Sequence, residues 1–112
     1  MVQRNKRERK ETIEVIDTSL LIDGLIGITT LINTVEFPPA SKSCKVLFPT
    51  RQDFKKALDI AWMLRKIGKP IGAVDILNAS MCLNRDLKFI TKDKDYRNIK
   101  LVEPKFKLKL VK

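Results

Sequence analysis

The chain contains no histidine, and that absence removes Ser-His-Asp and Cys-His catalysis, histidine-ligated zinc and a histidine general base together. It has only two cysteines, Cys44 and Cys82, which form no C-x-x-C pair and sit among apolar neighbours, so they read as small buried hydrophobes. No apolar run approaches the roughly 18 residues of a membrane span. The opening MVQRNKRERKE carries charge without a signal-type apolar stretch behind it. The expectation is a cytoplasmic protein with no membrane association. Any chemistry falls to carboxylates, lysines, hydroxyls or the two thiols.

What is present is the material of one domain: 112 residues, 44% of them hydrophobic. The 23 Lys and Arg against 13 Asp and Glu leave a formal charge of +10. Residues 1–12 hold five basic and two acidic groups, and residues 104–112 hold four lysines and no acid, so seven of the ten net charges sit at the ends. The expected organisation is a basic N-terminal arm (1–12), a domain (13–103) and a basic C-terminal strand or tail (104–112). Basic ends favour a polyanion, most commonly nucleic acid. They serve equally as solvated tails that keep a small protein soluble.

Residues 13–17 are β-branched and mostly apolar, as in a strand covered on both faces, and Thr18 and Ser19 offer caps for a short helix over 20–26. The stretch 28–37 is ambiguous between strand and helix, with a helical turn preferred at 33–37. A short strand is expected at 45–48. Thr50 and Asp53 then open a helix whose apolar face carries Phe54, Ala57, Leu58, Ala61 and Leu64, with Trp62 packing at its border. Gly68 and Pro70 end it. Residues 73–85 are apolar at nearly every angle and predict a buried helix. Strands at 88–91 and 99–102, a polar helical turn at 93–98 and an edge strand alternating Phe106, Leu108 and Leu110 with lysines complete the pattern. Strands alternating with helices predict an α/β fold, a mainly parallel sheet with helices on both faces. Its ligand site lies at the carboxyl ends of the strands.

Asp17 ends the first strand and Asp93 follows the strand at 88–91. A crossover helix runs antiparallel to its strands, so Asp75, in the first turn of the 73–85 helix, returns to the same edge. Singly these acids are ordinary helix caps, dipole partners or turn residues. Together they repel one another unless a cation or a net of donors compensates. Without histidine, an oxygen-liganded Mg²⁺ or Mn²⁺ suits the set better than zinc. Carboxylate-held metal beside basic surface points to phosphodiester chemistry.

The segments VIDTSLLID (15–23), TVEF (34–37), IGAVDILNA (71–79) and FITKDKDY (89–96) resemble the PIN-domain nucleases, most closely the small prokaryotic VapC-type toxins. The resemblance spans 13–103 and implies a small three-layer α/β/α domain. It implies an acidic quartet of Asp17, Glu36, Asp75 and Asp93, with Asp17, Asp75 and Asp93 as metal ligands for Mg²⁺ or Mn²⁺. Ser19 and Thr91 fall where the family places supporting hydroxyls. Asp95 competes with Asp93, and the family pattern favours Asp93, two residues after the Thr. The implied activity is endoribonuclease cleavage leaving 5′-phosphate and 3′-hydroxyl ends. The implied partners are RNA, an antitoxin protein and a second copy in a homodimer. The chain departs from the family in being shorter between Asp17 and Glu36, where a usual member has additional helix.

From charge, the RNA backbone is expected to meet Arg4, Lys6, Arg7, Arg9 and Lys10 of the arm and Lys105, Lys107 and Lys109 of the tail. The rivals are a non-catalytic PIN-like module binding RNA or protein, and an RNA-processing or ribosome-maturation factor.

Overall fold

The computed structural model describes residues 13–112. The arm 1–12, with Arg4, Lys6, Arg7, Arg9 and Lys10, lies outside the described residues. Strand β1 (Glu14–Ile16) carries Val15 and Ile16, adjacent residues that face opposite sides of a sheet and are both buried, so layers must cover both sides. The other strands are β2 (Ile28–Thr30), β3 (Lys45–Leu47), β4 (Lys88–Thr91) and β5 (Lys107–Leu110). All neighbours pair in parallel, in the order β3-β2-β1-β4-β5.

The connections are helical: α1 (Thr18–Ile22), α2 (Leu31–Glu36), α3 (Ala40–Ser43), α4 (Arg51–Lys66), α5 (Ala73–Arg85) and α6 (Tyr96–Val102). On one face Val15 and Phe89 meet Ile60 and Leu64 of α4, Ile76, Ala79 and Cys82 of α5, and Tyr96 and Ile99 of α6. On the other, Ile16 and Ile90 meet Leu20 and Leu21 of α1 and Ala40 of α3. The alternation Val15/Ile16 and Phe89/Ile90 is the period of two that divides a sheet's residues between two cores. The outcome is the three-layer α/β/α arrangement, as expected. Among the described residues no helix is long and apolar enough to cross a membrane.

Several local expectations change. The ambiguous stretch divides: its β-branched start forms β2, and Thr30, whose hydroxyl accepts from the Asn33 amide, caps α2. The first helix starts at Thr18 and ends at Ile22, with Asp17 as its cap and Gly24 (φ +102°) turning the chain after it. Residues 99–102 are not a strand but the end of α6, because Tyr96 and Ile99, one helical turn apart, are both drawn into the core. Phe54, Leu58 and Trp62 do not pack inside: they are 56%, 61% and 60% exposed, while Ile60 and Leu64 turn α4 toward the sheet. Cys82 is buried and Cys44 half-buried, both as free thiols. Within residues 104–112, Lys107–Leu110 join the sheet as β5, and Phe106 just before it is fully buried against Phe89 and Tyr96.

An ion pair between a fully buried carboxylate and a half-buried guanidinium ties α4 to α5. The Asp53 carboxylate closes a capping box with Thr50 and receives two Arg85 N–H bonds at 2.9 and 3.0 Å and one from Asn84 at 2.8 Å. Burial raises its pKa, but the bonds from Arg85, the Thr50 backbone and Asn84 outweigh that and hold the carboxyl below its usual value.

Candidate active site

β1 ends at the centre of the sheet, so the residue after it stands where the neighbouring connections meet. That residue is Asp17. One of its carboxylate oxygens accepts from the Thr18 amide at 2.8 Å, capping α1, and the other from the Thr91 hydroxyl at 2.6 Å. The ordinary capping role and the edge position therefore coexist in one side chain. Thr91 also accepts from the Asp93 amide at 3.0 Å, so one buried hydroxyl joins the end of β1 to the turn after β4. Asp75, in the first turn of α5, accepts from the Tyr96 hydroxyl at 3.0 Å. Glu36, the last residue of α2, stands 2.6 Å from the Thr18 hydroxyl oxygen.

These four acids line a cleft of about 410 Å³ together with Thr18, Ser19, Ile22 and Lys92. Asp95 is not among the lining residues; its backbone N–H donates to Asp93. Burial raises the Asp17 carboxyl pKa most. The Thr91 and Thr18 bonds oppose that, and Glu36 and Asp93 add repulsion. Burial likewise raises Asp75, opposed by the Tyr96 bond and assisted by Asp93, Asp17 and Glu36. The cleft therefore disfavours its own full ionisation, a condition that a cation relieves.

Among the described residues, no three His, Cys, Asp or Glu side chains are grouped so as to hold one metal ion together. The donors still fit a hard cation, since all are oxygens and Mg²⁺ is commonly bound through one or two carboxylates while retaining several waters. Ser19 adds a buried hydroxyl with no hydrogen-bond partner among the described residues, on the wall of the same cleft.

Behind the cleft lies a polar network that the sequence patterns did not announce. The Asn33 amide nitrogen donates to the Ile16 carbonyl at 3.0 Å and to the Thr29 hydroxyl at 3.1 Å. Asn78 donates to the Asn33 carbonyl oxygen at 3.0 Å and accepts from Thr30 at 2.6 Å. The Thr18 hydroxyl has one proton for two acceptors, Glu36 and the Asn33 oxygen at 2.9 Å. The network joins the end of β1, just before Asp17, to α2 and α5, which carry Glu36 and Asp75. Its amides are fully buried, so removing one leaves its partners unsatisfied. Asn78→Leu is expected to cost about 2 kcal/mol in urea denaturation, and an unchanged midpoint would show the network to be dispensable. Tyr96 was also missed as a site residue. Burial, with Asp17 and Asp75 nearby, pushes its phenol pKa up and keeps it a donor to Asp75.

The C-terminal lysines fall elsewhere. Lys105 and Lys107 lie at the amino end of β5, away from the acidic edge, and Lys107 pairs with Asp86 at 3.0 Å. Lys109 pairs with Glu14 at 3.2 Å. Lys92, on the cleft wall, pairs with Asp23.

No protein-family model matches the sequence, and no curated protein does. Among solved structures the fold is matched by a chain of VapBC2 from Rickettsia felis, a complex bound to a DNA fragment from their promoter. The TM-score is 0.66 at 16% identity, over 88% of this chain and 98% of that one. A chain of VapBC-1 from nontypeable Haemophilus influenzae matches with a TM-score of 0.68 at 18% identity, over the same shares. At such identities the likeness is one of architecture. The chain has the fold of the VapC-type PIN domains.

Proposed function

We propose that the chain is a Mg²⁺- or Mn²⁺-dependent endoribonuclease, the toxin of a toxin–antitoxin pair. The observation that carries this reading is the convergence of Asp17, Glu36, Asp75 and Asp93, from four separate connections, on one cleft at the carboxyl edge. One or two ions would be held among Asp17, Asp75 and Asp93, each through no more than two carboxylates with water completing its shell, and with Glu36 contributing. When bound, the ion supplies activation of a water for in-line attack on phosphorus and compensation of charge on the leaving oxygen. Thr91 holds one Asp17 oxygen, Tyr96 orients Asp75, and Thr18 holds Glu36 when its proton is not on Asn33. That the fold neighbours are VapBC complexes supports an antitoxin as protein partner.

A second reading, a binding module that holds RNA without cutting it, draws on the lack of a three-carboxylate metal grouping among the described residues. Incubating a mixed RNA pool with the protein in Mn²⁺, Mg²⁺ or EDTA separates the two. Cutting that needs the metal and disappears in Asp17→Asn and Asp75→Asn supports the nuclease. RNA shifted but uncut in every lane supports the binding module.

A further inference from the structure

β5 does not stop the pairing at Leu110: the Val111 amide donates to the Thr91 carbonyl at 2.9 Å, carrying the chain past the carboxyl end of β4. The residues after β4 and those ending β5 thereby enclose a groove of about 520 Å³, lined by Lys92, Lys94, Arg97, Leu110, Val111 and Lys112. Its lining side chains are four cations, with no acidic side chain, beside the apolar Leu110 and Val111. Lys92 also belongs to the wall of the acidic cleft, so cleft and groove adjoin at that side chain. Among the described residues, Lys92 is tied to Asp23, whereas no ion pair engages Lys94, Arg97 or Lys112. Arg97 is steadied over the same turn by its Nε donating to the Lys94 carbonyl at 3.4 Å.

A polyanion entering a cleft of four carboxylates is repelled where it must be held, so its anchoring has to come from charge just outside the cleft. Cations beside apolar side chains suit a single strand, whose phosphates take the lysines and arginine and whose ribose or base covers Leu110 and Val111. An acidic peptide would use the cations, but would bring no feature that calls for a place beside the cleft. We propose that this groove seats the backbone of a single-stranded RNA beside the bond that lies in the cleft. The proposal rests on the nuclease reading for the role of the cleft, and it moves the RNA contacts from Lys105, Lys107 and Lys109 to Lys94, Arg97 and Lys112.

The test is binding of a fluorescent single-stranded RNA of about 12 nucleotides, titrated in EDTA at several salt concentrations. Wild type is compared with Lys94→Glu/Arg97→Glu, with Lys94→Gln/Arg97→Gln, and with Lys55→Glu/Lys66→Glu on α4, which repeats the charge change away from both cavities. All these side chains are exposed, and melting curves verify that each variant folds. The expected result is affinity about tenfold or more weaker for the groove reversal, a salt slope reduced by about two in both groove variants, and little change for the α4 variant. Equal loss in the groove and α4 reversals would reduce the effect to net charge and overturn the proposal. So would unchanged binding in the groove variants, absence of RNA binding by wild type, or preference of the groove for a polyaspartate peptide. Parallel cutting assays in Mn²⁺ keep the two ideas apart. Cutting by wild type with unchanged binding in the groove variants sinks the groove alone, and groove-dependent binding without cutting sinks the nuclease alone.

Discussion

Asp75→Asn is expected to lose cutting by about a hundredfold or more and yet, in EDTA, to melt at a higher temperature than the wild type. The two effects have one cause. Burial and the neighbouring carboxylates hold the Asp75 carboxyl above its ordinary value, so the folded protein is penalised for ionising it. A raised folded pKa contributes stability that is fully present below the unfolded value near 3.8 and is lost as pH rises through the folded value. At neutral pH the charge is therefore a burden in the absence of a cation, and the neutral amide removes it. The amide oxygen still accepts from Tyr96, so no new unsatisfied group is made. Relief of each kcal/mol raises the midpoint by on the order of 4 °C in a domain of this size. Thermal melts from pH 4 to 8, with EDTA and with Mg²⁺, check this: the pH slope should flatten in the variant, and Mg²⁺ should stabilise wild type more. A lower melting temperature in EDTA would show that the cleft is not under charge strain. Asp17→Asn is a poorer probe of stability, because both carboxylate oxygens already accept bonds and an amide keeps only one acceptor.

Asp53→Ala should move stability in the opposite direction and by more. The carboxylate has no solvent exposure and receives Arg85, Asn84 and the Thr50 amide, so its loss leaves a half-buried guanidinium without its counter-charge and α4 without its capping box. The expected cost is about 3 kcal/mol or more, a large part of the roughly 5–15 kcal/mol that holds such a domain together. Urea denaturation at neutral pH measures it. The pH signature differs too. A depressed folded pKa contributes stability that is present above the unfolded value of 3.8 and is lost as pH falls through the lower folded value, so the acid-side loss should be shallower in the variant. Wild type and variant falling in parallel below pH 4 would overturn this assignment.

The architecture and most of the acidic edge are legible because they follow from local signals. β-branched runs, the Thr50–Asp53 cap and the all-round apolar helix at 73–85 each name their element without help from the rest of the chain. Once the strands are parallel, topology alone brings Asp17, Asp75 and Asp93 to one edge. Glu36 came through the resemblance, since the stretch around it mixes strand and helix signals. What was illegible depends on pairing at long range. Asn33 and Asn78 meet across 45 residues with no periodicity to announce them. Ile99 and Val102 read as a strand until Tyr96 is seen to be swallowed by the core. The basic groove exists only because β5 lies beside β4, which alternating lysines cannot reveal.

The parallel sheet also constrains the order in which the molecule can come into being. β1 is made early, but its partner on one side is β4, and the Thr91–Asp17 bond closes a separation of 74 residues. Parallel strands have no hairpin route to each other, so this closure is slow and non-local. A chain emerging from the amino end carries Asp17 and Glu36 long before Asp75 and Asp93 exist. Its carboxylates spend most of synthesis hydrated and apart, and the crowded, charge-strained edge is assembled only when β4 docks.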